Sequence, residues 1–149
     1  MLNNPSAGMS IIVKSITRII ISLVLVFGIY IVAHGHVSPG GGFAGGVIIA
    51  LSFVLLMLAF GKGVATSRIT KTIALNLESV GALMFLLIAL SGFLGGAFFV
   101  NILAKGVPFR LFSAGTIPLY NYVLGLKVGV GLFAIYLAFV ILEKTRKRK

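Results

Sequence analysis

Residues 11–60 read IIVKSITRIIISLVLVFGIYIVAHGHVSPGGGFAGGVIIALSFVLLMLAF. Two apolar runs flank a short polar segment, and each approaches the roughly 20 residues that a helix needs to cross a bilayer. The segment between them holds His34, His36, Ser38 and Pro39, then three consecutive glycines, with Gly45 and Gly46 close behind. The pattern predicts a helical hairpin in a membrane, closed by a turn that brings its helices close together.

The rest of the chain agrees with this class. Of 149 residues, 59% are hydrophobic and 10% charged, where a soluble domain carries about 25% charged residues. The acidic residues are Glu78 and Glu143 alone. Without water in the bilayer core, spanning elements are helices or a closed barrel. Runs this long and continuous do not suit barrel strands of about 10 alternating residues. The expectation is an all-α polytopic membrane protein, one domain over residues 1–149, with helices at about 11–33, 43–60, 73–100 and 122–142. The third run exceeds one span, so it tilts, bends near Gly92 or ends at the interface. The first run is long and lacks a small-x-small cleavage site, so it reads as an uncleaved span and not a signal peptide.

The net charge of +11 does not indicate nucleic acid. The basic residues flank apolar segments, where anionic lipid headgroups account for them. The chain has no cysteine, which excludes disulfides and thiolate metal sites, and no tryptophan. Any aromatic belt therefore rests on Tyr30, Tyr120, Tyr122 and Tyr136. Placing both termini and the second connection inside collects Lys14, Arg18, Lys62, Arg68, Lys71, Lys144, Arg146, Lys147, Arg148 and Lys149 on one side. Only Lys105 and Arg110 then lie outside, and Lys127 falls within the fourth span. By the positive-inside rule both termini are cytoplasmic, and the turn from His34 to Gly46 is external.

Pro39 disfavours helix at Ser38 and suits a first helical turn, so Ser38 is a candidate cap for the second helix, which then starts either within the glycines or after them. Gly40, Gly41 and Gly42 permit a backbone course that side chains would block. Gly41 and Gly45, and Gly42 and Gly46, have the small-xxx-small spacing of closely packed membrane helices. Gly92 and Gly96 repeat it in the third run, and Gly125 and Gly129 in the fourth. Packing is favoured over direct ion coordination at each. With so many glycine faces in four helices, some are expected to meet other subunits. The flanks are membrane spans, so these glycines form neither a phosphate loop nor a dinucleotide fingerprint.

An ionisable residue inside a membrane is a candidate functional site. Lys127 pairs with a carboxylate, lines a hydrated passage, or snorkels to the outer surface; these readings stay open. Glu78 pairs with Lys71 or Lys62, or faces a hydrated path. Expected at opposite ends of the bundle, Glu78 and Lys127 call for different partners. His34 and His36 do not share a helix face and are too few for a structural zinc site. A capping or packing role is favoured for them over proton relay at the outer surface. Asn76, Asn101, Thr116 and Asn121 read as caps or interhelical hydrogen bonds. So few ionisable groups suit one component of an assembly better than a complete transporter, and no cofactor or metal site is expected in the chain.

Two segments carry a resemblance: GHVSPGGGFAGGVIIAL at 35–51 and SAGTIPLYNYVLGLKVGVGL at 113–132. Together they resemble the MnhB-type domain, the B subunit of multisubunit sodium/proton antiporters. That domain also occurs in archaeal membrane-bound hydrogenase and related sulfur-reducing complexes. The resemblance implies a small plasma-membrane subunit without a catalytic centre, surrounded by antiporter-type membrane subunits and lipid. Sodium ions and protons would cross the complex. In a hydrogenase or sulfur-reducing assembly, redox subunits would couple ferredoxin oxidation to ion export. A stand-alone small transporter or channel is the remaining alternative.

Overall fold

In hydrocarbon every backbone polar group needs an internal partner, so an apolar run without proline closes into helix. The computed structural model describes residues 9–61, 71–107, 110 and 113–146. Lys62, Arg68, Pro108 and residues 147–149 lie outside the described residues, as do the side chains of Lys71 and of residues 141–146. Helix α1 is Ile11–His34, and the Ser10 hydroxyl caps it by accepting from the Val13 amide at 3.5 Å. Helix α2 is Gly41–Phe60. The Met9 amide donates to the Ala59 carbonyl at 2.9 Å, so the two form an antiparallel hairpin. Helix α3 is Lys71–Ser91, continued by a 3-10 turn over Gly92–Gly95, and helix α4 is Ile117–Arg146. Among the described residues there is no strand. The segments Ile11–His34, Gly41–Phe60, Thr72–Gly95 and Ile117–Val140 are each long and apolar enough to cross a membrane.

The helices form a row: α1 packs on α2, α2 on α4, and α4 on α3, with a smaller contact between α1 and α4. Met57, Phe133 and Leu137 are buried between α2 and α4, with Phe53, Tyr136 and Val140 packed around them. The Phe53 and Phe133 rings lie 5.7 Å apart. The outer helices leave large apolar side chains uncovered, with Ile12 72%, Ile19 66% and Leu23 66% exposed. Lipid or neighbouring protein, not water, is the compatible environment for such faces.

Three expected boundaries shift. Helix α2 starts at Gly41, inside the glycine run. Its N-cap is Gly40, at φ 141°, and makes no side-chain cap bond. Ser38 is not its cap; the hydroxyl donates back to the His34 carbonyl at 3.2 Å and closes α1 instead. The third helix does not run to 100. Gly92 and Gly95 are poor helix formers, and Gly96 turns left-handed at φ 101°. Residues 97–100 then fold back, the Phe99 amide reaching the Ala89 carbonyl at 3.3 Å. So Gly92 and Gly96 build a turn there, not a helix-packing face. The fourth helix begins at Ile117 and not at 122, because Pro118 sits in its first turn, where the missing N–H has no helical partner to lose.

Candidate functional site

Where α2 crosses its neighbours, glycines let backbone approach backbone. A Cβ on Gly46 would lie 2.8 Å from the Gly125 carbonyl oxygen and 3.2 Å from the Gly129 amide, and one on Gly42 would strike the Asn121 carbonyl. A Cβ on Gly129 would lie 3.3 Å from the Gly46 carbonyl oxygen, so the approach is reciprocal. On its other side, Gly45 meets α1: a Cβ there would lie 2.8 Å from the Gly28 carbonyl oxygen and strike Val32. The faces at 42/46, 45 and 125/129 thus meet helices of this chain. Gly28, which sequence reading passed over, completes the α1–α2 contact; its signal was a lone glycine in an otherwise bulky, β-branched run.

The outer turn locks these helices together. The His34 carbonyl accepts from the Val37 and Ser38 amides, both at 2.9 Å. Gly40 and Gly41 adopt φ 141° and 79°, a region L side chains rarely enter. Asn121 of α4 reaches across, its Oδ1 accepting from the Gly42 amide at 3.3 Å. His34 stacks on Tyr30 at 4.1 Å, and its Nδ1 donates to the Tyr30 carbonyl at 3.2 Å. His36 points elsewhere: its Nε2 donates to the Arg110 carbonyl at 3.2 Å, tying the turn to the α3–α4 connection. Pro39 is exposed at the tip. The two histidines serve different contacts, and among the described residues no three His, Cys, Asp or Glu side chains gather into a metal-holding group.

Asn101 fixes the start of α4. Its Oδ1 accepts from the Thr116 amide at 3.0 Å and the Thr116 hydroxyl at 3.3 Å, while its Nδ2 donates to the Ala114 carbonyl at 3.0 Å. Asn101→Ala removes all three bonds, including the one at the helix N-cap. It should destabilise the chain by about 2 kcal/mol. A thermal melt in mild detergent should show the midpoint fall by about 5 °C; an unchanged midpoint would refute the stapling role.

The α3–α4 seam brings Glu78 and Lys127 to adjacent levels. Glu78 Oε1 lies 3.7 Å from where a Cβ of Gly131 would stand, and the Lys127 Cβ lies 3.3 Å from where one of Gly81 would stand. Each charged residue thus faces a glycine on the opposite helix, one turn apart. This corrects the expectation that the two stand at opposite ends of the bundle. The expected start of α4 was five residues late, which made Lys127 seem shallow. It lies about 15 Å along the axis from Ile117, near half the depth of a bilayer core of about 30 Å. Glu78 lies about 10 Å from Lys71. Both are half-buried. Neither side chain makes a hydrogen bond or ion pair among the described residues. Helical side chains lean toward the helix N-terminus, so in this antiparallel pair Glu78 leans to the α3 start and Lys127 to the α4 start. Beside the seam, an apolar groove of about 240 Å³ opens between the helices, lined by Ile49, Phe53, Leu77, Gly129, Val130 and Phe133. It offers no polar side chain to a passing ion.

Residues 12–134 match the family described as the domain related to the MnhB subunit of the Na+/H+ antiporter. An uncharacterized protein of Methanocaldococcus jannaschii is 38% identical over 136 residues, 84% of this chain and 52% of that protein. A protein of Staphylococcus epidermidis named as antiporter subunit MnhB2 is 46% identical over 50 residues, 34% of this chain and 36% of its own length. The chain therefore spans about half of the first relative and about a third of the second. Among solved structures, a chain of the membrane-bound sulfane sulfur reductase, an archaeal respiratory membrane complex, superposes with a TM-score of 0.76 at 31% identity. The match covers 89% of this chain and 59% of that one.

Proposed function

Because the chain belongs to the family of domains related to the MnhB subunit of Na+/H+ antiporters, we propose that it is an integral membrane subunit of a cation/proton antiporter or antiporter-like module. In this reading it sits in the cell membrane with both termini cytoplasmic, among other antiporter-type subunits and lipids. The observation that carries its role is the α3–α4 seam, where Glu78 and Lys127 lie one turn apart at membrane depth without a hydrogen bond or ion pair among the described residues. A charge in hydrocarbon requires a counter-charge or water. With Glu78 leaning to the cytoplasmic side and Lys127 to the outer side, the pair forms two polar stations on one path. Sodium ions or protons pass between them or alongside them in the assembled complex.

Lys127→Ala tests this directly. Sodium/proton exchange by the complex in membrane vesicles should fall on the order of tenfold or more, the scale of losing a positioned proton-transfer group. Subunit recovery should stay normal. Full exchange in an intact complex would leave the chain a scaffold, and failed assembly would make Lys127 structural.

A second reading is favoured by the superposition on the sulfur reductase chain: the antiporter-like module belongs to a respiratory complex. Redox chemistry then lies in other subunits, which couple it to ion export. The subunits that co-purify separate the two, since a nickel-site or iron–sulfur subunit accompanies only a redox complex. Ion flux from the purified chain alone in liposomes would instead establish a stand-alone transporter.

A further inference from the structure

Helix α3 has two polar faces, and the assigned path uses one. Ala74, Glu78, Gly81, Phe85 and Ala89 are among its less exposed residues and share the face toward α4. At 3.6 residues per turn, Thr72, Asn76 and Ser79 fall together on the opposite side. All three are exposed, so they point away from every other helix of the chain. The rest of that face is apolar, with Leu83 56% and Leu87 56% exposed.

Thr72 is near the helix end, where headgroups and water reach it. Asn76 and Ser79 are deeper, about 7 Å and 12 Å along the axis from Lys71. Their side chains make no hydrogen bond among the described residues. Ser15, also exposed, lies in the first turns of α1 and likewise makes none, whereas three serines of the spans do. Ser22, Ser52 and Ser91 each donate to a carbonyl of their own helix, at 3.0, 2.6 and 2.6 Å. Lipid tails can neither donate nor accept, and an amide left unpaired in hydrocarbon is costly. Membrane helices use such side chains to bond to one another.

We infer that the Thr72–Asn76–Ser79 face of α3 is an interface for a transmembrane helix of a different subunit, which carries hydrogen-bonding side chains at the level of Asn76 and Ser79. The inference rests on the reading of the chain as part of an assembly, and adds where the neighbour sits and what it presents. The neighbour approaches from the side of α3 away from α4, so it backs the helix that carries Glu78. Asn76, with two donors and an acceptor, can pair with an Asn, Gln, Ser or Thr of the partner.

The chain has no cysteine, so Ser79→Cys provides a unique thiol of nearly the same shape. Treated in native membranes with a membrane-permeant maleimide–benzophenone and irradiated, it should join this chain to another polypeptide identifiable by mass spectrometry. In parallel, the pair Asn76→Ala with Ser79→Ala should weaken recovery of that polypeptide about tenfold, the scale of two lost interhelical hydrogen bonds. Asn76→Gln with Ser79→Thr should retain it. Adducts to lipid alone, in preparations where other subunits still co-purify, overturn the interface while the subunit reading stands. So does full recovery with the alanine pair. A chain that purifies without any partner overturns both. If the alanine pair fails to accumulate, the cross-link from Ser79→Cys decides the question.

Discussion

Gly46→Leu is expected to eliminate the folded chain, and Gly46→Ala to weaken it severely. The atoms a Cβ would meet are the Gly125 carbonyl oxygen at 2.8 Å, the Val128 Cβ at 2.9 Å and the Gly129 amide at 3.2 Å. Two of these are backbone, so no rotamer change relieves the clash, and α2 and α4 must separate instead. Separation also opens the contacts among Met57, Phe133 and Leu137 further along the same pair. Overpacking a yielding core costs about 1–3 kcal/mol. Here the cost exceeds about 3 kcal/mol for leucine, against a total stability of about 5–15 kcal/mol for a typical domain. Gly131→Ala is the matched control. Its Cβ meets nothing nearer than Glu78 Oε1 at 3.7 Å, an ordinary contact. Size-exclusion profiles of the tagged chains in mild detergent should lose the monodisperse peak for Gly46→Leu and keep it for Gly131→Ala. Equal profiles for the two would show that the α2–α4 crossing does not hold the fold together.

That contrast marks how far the sequence is legible. Four apolar runs announce four helices, because hydrocarbon leaves the backbone no alternative of that length. The spacing of Gly42 with Gly46 and Gly125 with Gly129 announces close approach. It does not say which helix approaches which, since bare backbone accepts any partner, and so α2 lying between α1 and α4 was not readable. Helix ends depended on distant side chains. Asn101 bonds to Thr116 across the α3–α4 connection and allows α4 to begin at Ile117. Read locally, Pro118 and Asn121 suggest loop. That error of five residues moved Lys127 toward the surface and hid its place beside Gly81. Gly81 itself carried a signal, a single glycine three residues after the only acidic residue of the spans. Its meaning required the register of two helices, which no local pattern supplies.

The same register makes the charges on the seam exchangeable in principle. Lys127→Glu alone would set two carboxylates one to two turns apart on α3 and α4, and Glu78→Lys alone two ammonium groups. At about 8 Å and an effective dielectric of about 20, such a pair interacts by about 2 kcal/mol. Turning attraction into repulsion therefore shifts the seam by about 4 kcal/mol. Because α3 packs on α4 and not on α1, that shift falls on the contact that holds α3 in place. Each single reversal should abolish exchange and reduce recovery of the chain in the complex by about tenfold or more. Glu78→Lys combined with Lys127→Glu restores one charge of each sign to the seam, so assembly should return toward the original level. Exchange should remain impaired, because the carboxylate then leans to the outer side and the ammonium to the cytoplasmic side, reversing the stations. Recovery is read by co-purification and exchange by sodium-driven pH change in vesicles. If the double reversal assembles no better than the singles, the two groups do not sense each other, and Glu78 and Lys127 serve separate partners.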